Sequence, residues 1–451
     1  MSWMGRIIGS LALAGILVLP AVAQPSLTAD QAVQMALEHN SQIINASAGI
    51  YDARGSLYRA YSGVMPSLSA DLSRSGSWNE NKPGTQAFAS FLSESPLRSR
   101  GYQTSPSISG MWNVLNLSAL SSLSSARAGM QSARWRLSAT RSDVVLAARQ
   151  QFYEVVKAVR LADVADAAVR LARDGERRVR ALFEVGSVSR SDVLRAQVNT
   201  SQAVLDSIVA VQSVLVQRGN LAGLIGVEEA RMGQVDTLLI VTPRAYDEAA
   251  LLSEAEANRP DLKAAAAAVR SAKASALAAR LQRLPYLSVS ASATFNPTSS
   301  STITRRDTLG NEVDYSSRSE AKRQVGARLS LSWDFFNGLN IDASNASARA
   351  GLLRAQDGYD VLRRNLASEV HEAFMTYQQM LAGENVARIA VESALENVKL
   401  IQQKYNVGSA TILELIDAQV QLQRAQSQEV SALAAIRVVE AQIERVRGIK
   451  E

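Results

Sequence analysis

The sequence predicts a mainly α-helical fold with a small β part, built from two similar halves. Three observations predict it: two long tracts without proline, four short alternating segments, and matched residues recurring at an offset of about 220 positions. The duplication constrains the fold most, because each half must then adopt the same order of elements.

The matched residues follow one another in the same order along both halves, and most pairs lie 221 or 222 positions apart. The pairs are Asn40 with Asn258, Pro66 with Pro285, Trp112 with Trp333, Asn116 with Asn337, Val185-Gly186-Ser187 with Val407-Gly408-Ser409, Asp192 with Glu414, and Gly226 with Gly448. We therefore place a first repeat at residues 24–226, a linker or equatorial segment at 227–245 and a second repeat at 246–451.

The two longest predicted helices lie where proline is absent. No proline falls between 107 and 242 or after 297, and a proline inside a helix costs about 3 kcal/mol. Apolar residues recur three and four apart, as at Leu366, Val370 and Ala373. We expect helices of about 67 residues, roughly 100 Å long, at 117–183 and 339–405. Shorter helices are predicted at 28–65, 189–222, 246–284 and 411–447, and their length and period predict coiled-coil packing.

Four short segments, about 67–73, 107–115, 286–295 and 325–334, alternate apolar and mostly hydroxyl residues. Membrane-spanning strands show this alternation, and Trp112 and Trp333, where strand gives way to helix, would suit a membrane-interface aromatic belt. Packing of these tryptophans in a core is the alternative. We expect long polar loops at 74–106 and 296–324. Four strands cannot close a barrel, and open strand edges are not tolerated in lipid, so copies of the chain must associate; three would give 12 strands.

The first 23 residues are predicted to be a secretory signal peptide, with Arg6, an apolar run and the small-x-small site Ala21-Val22-Ala23. The chain has no cysteine, so neither a disulfide framework nor a lipid thioether is expected. The net charge of +6, or +5 without Arg6, is interspersed along the chain, which disfavours nucleic-acid binding. His39 and His371 lie far apart and no catalytic, metal or cofactor motif is present.

The repeat, the strands and the sequences at the tips of the two predicted helical hairpins together resemble the TolC family of outer-membrane export channels. The most specific runs are FEVGSVSRSDVLRAQ from Phe183 to Gln197 and YNVGSATILELIDAQ from Tyr405 to Gln419. The resemblance covers essentially the whole chain after the signal. It implies a homotrimer with a 12-stranded barrel in the outer membrane and a 12-helix tunnel in the periplasm. It also implies a passive duct of a tripartite efflux or type I secretion system, with a periplasmic adaptor and an inner-membrane transporter as partners.

The resemblance assigns two groups of site residues. Val185, Gly186, Ser187, Val407, Gly408 and Ser409 match the adaptor-contacting tips, and Asp192, Tyr405, Glu414 and Asp417 match the gate or constriction. Ala410 stands where the family's gate arginine would be, so that salt bridge is not expected here.

Simpler interpretations stay open for both groups. Glycine is expected in any tight helical hairpin. Ser189 with Asp192, and Thr411 with Glu414, have the spacing of helix capping boxes. An elongated periplasmic coiled coil or an adaptor is the alternative function. Drug efflux, metal efflux and protein export all stay open as the cargo, and the missing lipidation cysteine favours protein export or a general-purpose duct.

Overall fold

The structure is a computed structural model that describes residues 26–80, 98–297, 299–306 and 311–448. The predicted signal peptide lies outside the described residues. The chain divides into two compact units, each with segments from both repeats. One unit comprises residues up to Asn40, Val145–Pro243 and Tyr377–Ala441, and the other Ser41–Val144, Arg244–Thr376 and the residues from Gln442.

Both repeats contain two helices, then strands, then two helices, and the second has two more described strands than the first. The first consists of α1 (Ala29–His39), α2 (Ser41–Ser62), β1 (Ser67–Glu80), β2 (Arg98–Leu115), α3 (Leu117–Glu184) and α4 (Arg190–Ile225). The second consists of α5 (Glu248–Asn258), α6 (Pro260–Leu281), β3 (Tyr286–Asn296), β4 (Ser299–Arg306), β5 (Glu312–Ser319), β6 (Lys322–Ser332), α7 (Asn340–Asn406) and α8 (Ile412–Arg447). The long helices are confirmed, with 68 residues in α3 and 67 in α7.

The predicted single helices at 28–65 and 246–284 are wrong, because each is two helices. Asn40 has extended backbone between α1 and α2, and its amide donates to the Leu224 carbonyl at 3.0 Å. Arg259 is extended between α5 and α6, as expected for a residue before proline, since Pro260 disfavours helical backbone at the preceding position. The structural counterpart of Asn40 is therefore Arg259, one residue beyond the Asn258 that the sequence paired with it.

A glycine packs against each of these helix breaks. Gly226 and Gly448 both have positive φ, 71° and 68°. A Cβ on Gly226 would lie 2.7 Å from the Cβ of His39, and one on Gly448 would lie 2.8 Å from the backbone N of Arg259. Both the left-handed conformation and the lack of space require glycine here.

Replacing Gly448 with alanine should lower the free energy of unfolding by more than about 2 kcal/mol, because strained φ and a clash with backbone atoms add. Gly383→Ala is the matched control: it lies inside α7, where an added Cβ meets nothing within 4 Å, and should stabilise by about 0.5–1 kcal/mol. Denaturant unfolding of the two variants in detergent measures both. Equal effects of the two changes would contradict this account.

A charged cluster surrounds the Arg259 break. The Arg259 side chain is buried and pairs with Asp261 at 2.7 Å and with Glu369. Arg445 bridges the same Glu369 and Asp143. Burial lowers the pKa of Arg259, but the hydrogen bonds and charges of Asp261 and Glu369 outweigh it and raise the pKa above its usual range. Removing Arg259 would leave Asp261 without its cation and Glu369 with Arg445 alone, and breaking an ion pair by removing one partner is strongly destabilising.

Helices α3 and α6, from different repeats, approach closely through small side chains. Four serine hydroxyls along α3 donate to backbone carbonyls of the alanine-rich α6 at 2.8–2.9 Å; they belong to Ser118, Ser121, Ser125 and Ser132. Buried alanines of α6, including Ala264 and Ala267, complete the contact. The serines therefore satisfy their own hydroxyls while allowing the helix backbones to come together.

The strands form one antiparallel sheet in which β2 pairs with β1, β3 and β4. Asn296 pairs with Lys322 and Ser299 with Ser319, so β4 and β5 continue the β3–β6 hairpin in one register. The six described strands thus occupy four strand positions in the sheet, because β4 continues β3 and β6 continues β5. The other two positions are those of β1 and β2. The predicted loops are partly wrong: β1 runs to Glu80, and most of 296–324 is strand. These extensions carry few apolar residues on either face, so they lack the regular alternation that predicts strands.

Candidate functional site

The helical tips of the two repeats have the same turn. Gly186 and Gly408 both have φ of 76°. The Gly186 amide donates to the Phe183 carbonyl at 2.9 Å, and the Ser187 amide donates to the Leu182 carbonyl at 2.8 Å. In the second repeat, Gly408 and Ser409 donate to Tyr405 and Lys404 at 3.0 and 2.9 Å. The turns satisfy their own amides and leave an apolar side chain exposed at each tip, with Val185 74% and Val407 78% exposed.

Both capping boxes are present. Asp192 accepts from the Ser189 amide at 3.1 Å, and its own amide donates to the Ser189 hydroxyl at 3.2 Å. The Glu414 carboxylate accepts from the Thr411 amide at 2.8 Å, and the Glu414 amide donates to the Thr411 hydroxyl at 3.3 Å. These two acids therefore begin α4 and α8, as the simpler interpretation expects, and this geometry leaves any second role to be tested separately.

Tyr405 joins the tips of the two repeats. It is only 7% exposed and belongs to a buried cluster, here called the tip cluster, of Val179, Ala196, Tyr405, Ile412 and Leu415. Its hydroxyl is buried without a hydrogen-bond partner among the described residues. Burial, and then the negative charge of Asp192, raise the pKa of Tyr405. The structure thus brings Tyr405 of one repeat near Asp192 of the other.

Ala410 also contacts the tip cluster. At this position a short apolar side chain adds to the packing around Tyr405, where an arginine would bring charge. The sequence alone shows that the family's gate arginine is replaced by alanine here. Only the structure shows that the alanine packs against the tip cluster.

Glu414 and Asp417 lie away from the tip cluster. Both are exposed, whereas Leu415 and Ala418 on the same helix are 2% and 4% exposed. A polar stripe continues from them along α8 at helical spacing, through Gln421, Arg424 and Gln428, all exposed. The two acids are therefore neighbours on a face that this chain leaves uncovered.

The sheet has one apolar and one hydroxyl face. Paired residues of an antiparallel ladder share a face, and Ser69 pairs with Ser109, which pairs with Ser292. The other face carries Ala70 opposite Ile108, and Val289 opposite Leu329. Leu68, Ile108, Val325, Leu329 and Leu331 are all more than 60% exposed. A soluble protein rarely leaves so much contiguous apolar surface uncovered.

Trp112 and Trp333 occupy equivalent positions. Each indole N–H donates at 3.0 Å to a carbonyl in the turn before a strand, that of Val64 or Arg283. The rings remain 45% and 63% exposed. A satisfied polar end with an exposed ring suits a membrane interface. Phe335 and Phe336, which the alternating pattern does not include, are 86% and 74% exposed and follow Trp333 in the chain.

Within the part of the chain that the structure describes, no cluster of three or more His, Asp or Glu residues could hold a metal ion. One described helix, α4, is long and apolar enough to cross a membrane by length and composition alone, with a mean hydropathy of 1.3 over 18 residues, of which 17% are buried. This is weak support for a span. Its polar residues, such as Gln202 and Asp206, interrupt the apolar run.

The sequence model of the outer membrane efflux protein family matches residues 32–227 and 251–448, one segment in each repeat. The chain belongs to this family. The family sequence matches once in each repeat, in agreement with the duplication. Membership of the family places the protein in the outer membrane.

Among relatives, outer membrane protein TolC of Escherichia coli is 24% identical over 250 residues, 55% of this chain and 50% of TolC. The pyoverdine export outer membrane protein OpmQ of Pseudomonas aeruginosa is 30% identical over 167 residues, 37% of this chain and 34% of OpmQ. The chain spans about half the length of the curated relatives it matches, or less. The CmeC outer membrane channel of Campylobacter jejuni has the same fold, with a TM-score of 0.76 at 15% identity, covering 93% of this chain and 85% of CmeC.

Proposed function

We propose that this efflux-family chain is one protomer of a trimeric, passive exit duct, through which substrates leave the periplasm. The observation that carries the proposal is the sheet with one apolar and one hydroxyl face. In the described chain, β1 and β6 each have only one strand neighbour. Since lipid cannot satisfy free strand edges, the sheet requires neighbouring copies to close it.

Three copies would close the barrel with 12 strand positions, above the minimum of about eight. The helices support the same assembly. Apolar residues along α4, including Val198, Ile208 and Val209, are 61–69% exposed in the single chain. A neighbouring copy would cover such a face, because coiled-coil packing buries apolar stripes.

The two tips supply the docking surface for a periplasmic adaptor, which connects the duct to an inner-membrane transporter. Val185, Gly186 and Ser187 form one tip, and Val407, Gly408 and Ser409 the other. The exposed valine of each tip presents apolar surface beside a turn whose glycine and serine amides are already hydrogen-bonded within the turn. This favours contact with an apolar groove on a partner.

The tip cluster closes the duct at its periplasmic end. Tyr405 packs with Val179 and Ala196 of the other repeat within one protomer, so separating the hairpins would expose Tyr405. Glu414 and Asp417, on the exposed face of α8, line the constriction, and a trimer would gather six carboxylates there. Such a ring attracts cations and repels anions.

Cross-linking tests the trimer. The chain has no cysteine, so paired cysteines introduced at Ser69 of β1 and Gly326 of β6 provide a clean background for a bifunctional thiol reagent. We expect covalent trimers in the outer-membrane fraction. Ser109→Cys in the interior strand β2 is the matched control and should give only monomers. Exclusive monomers from the edge pair, or recovery with the inner membrane as for an adaptor, would contradict the proposal.

A further inference from the structure

The apolar face of the sheet ends in a zone of arginines and aromatic rings on the side away from the helices. Arg323 lies opposite Phe295, Arg74 opposite Thr104, Arg100 opposite Trp78, and Arg318 opposite Ser300. Each pair lies on the same face as Leu72 and Ile108, because residues of equal parity along a strand share a face. We call Arg74, Arg100, Arg318 and Arg323 the distal arginines; all four are exposed.

The distal arginines lack carboxylate partners among the described residues. Arg100 lies 5.1 Å from the Trp78 ring, and Arg323 lies 5.6 Å from that of Phe295. These contacts orient the guanidinium groups but leave their charge unneutralised.

On the described strands of this face, acids begin only farther out, and they already have partners there. Glu80 and Glu312 are 3.4 and 4.0 Å from Arg98, and Asp314 accepts from Thr304 at 2.5 Å. Between these acids and the apolar band lies a layer in which the charged strand residues of this face are all arginines, while Glu320 lies in the break between β5 and β6.

The depth of this layer indicates its partner. From Leu72 to Trp78 the strand advances six residues, about 20 Å, or roughly 15 Å along the membrane normal at the tilt of such barrels. A phospholipid headgroup layer is only about 5–8 Å deep on each side. The layer is therefore deeper than phospholipid headgroups, and it also presents Trp78 and Tyr102, which are 67% and 57% exposed. Exposed aromatic rings suit sugar rings as stacking partners.

We propose that the distal arginines bind the phosphate groups of an anionic glycolipid in the leaflet around the distal end of the strands. Arginine suits phosphate because its planar group donates two parallel hydrogen bonds. This inference rests on the membrane position given to the strands by the proposed function. It adds a lipid-binding surface on the outside of the duct, separate from the transport path.

Binding of labelled lipids to the detergent-purified, full-length protein tests the proposal, with phosphorylated lipopolysaccharide lacking its outer sugars as probe, and phosphatidylglycerol and phosphatidylcholine in parallel. The test variant replaces all four distal arginines with glutamine. Its matched control replaces Arg173, Arg178, Arg354 and Arg364, which are exposed arginines of α3 and α7. We expect the test variant to lose at least about tenfold in affinity for the glycolipid, since each basic group near an anionic surface contributes severalfold, and the control to keep wild-type affinity.

Equal losses in both variants would overturn the proposal, because net charge alone would then explain binding. Phosphatidylglycerol binding as tight as that of the glycolipid would overturn the choice of lipid. Conductance in phosphatidylcholine bilayers separates this inference from the proposed function. Channels without charge-dependent glycolipid binding contradict the inference alone, whereas glycolipid binding without channels contradicts the duct.

Discussion

Replacing Tyr405 with alanine should open the periplasmic end of the duct. The ring is buried in the tip cluster, which joins hairpins of both repeats, and truncating a buried aromatic residue costs about 3–5 kcal/mol. Moving a two-state equilibrium from 1:99 to 99:1 takes about 5.5 kcal/mol, so this single change should shift most of a closed population toward the open state. Planar-bilayer recordings should show a severalfold higher conductance or open probability, and cells should become sensitive to large hydrophilic antibiotics.

Tyr405→Phe is the matched control. It keeps the ring and removes only a hydroxyl that has no hydrogen-bond partner among the described residues. A buried polar group without a partner costs about 1–3 kcal/mol, so the phenylalanine variant should close at least as well as the wild type. The hydroxyl also stays protonated near neutral pH, because burial and Asp192 raise the pKa of Tyr405. If Tyr405→Phe conducts as freely as Tyr405→Ala, closure depends on a bond from the hydroxyl to a group outside the protomer.

The tips are where sequence alone predicted most. The capping pairs, the glycine turns and the equal spacing in both repeats are local features, and local chemistry fixes each of them within a few residues. The proximity of Tyr405 to Asp192, by contrast, is not a local feature of the sequence. These residues lie 213 positions apart, and only the resemblance to known channels grouped them before the structure did.

The break before α6 had a local signal, because Pro260 lies inside the single helix predicted at 246–284. The other differences follow from tertiary contacts: no proline marks the break at Asn40, which the Leu224 carbonyl and Gly226 stabilise from 184 or more residues away. The serines of α3 resemble ordinary helix-surface residues until the alanine face of α6 meets them. The distal arginines interrupt the apolar alternation, so their segments resembled loops, and only strand register shows that they share one face.

Neutralising Glu414 and Asp417 together should abolish the preference of the duct for cations. Both acids are exposed on one face of α8, and each protomer of a trimer would contribute both to the same constriction. In Glu414→Gln/Asp417→Asn, we expect the cation-to-anion permeability ratio, measured from reversal potentials in a salt gradient, to fall severalfold toward one. Asp52→Asn/Asp357→Asn removes two exposed acids from the other compact unit and should leave that ratio unchanged.

The choice of glutamine separates charge from helix capping at Glu414. Glutamine can still accept from the Thr411 amide, as in a capping box, whereas alanine cannot. Glu414→Ala loses the hydrogen bond from the Thr411 amide and should therefore lower stability by about 0.5–1.5 kcal/mol relative to Glu414→Gln, while both lose the same selectivity. A selectivity change in the alanine variant alone would mean that the altered start of α8, rather than the lost charge, reshapes the constriction. No change in either would leave Glu414 a capping residue, and the cation preference would then have to arise from Asp417 or from acids outside this stripe.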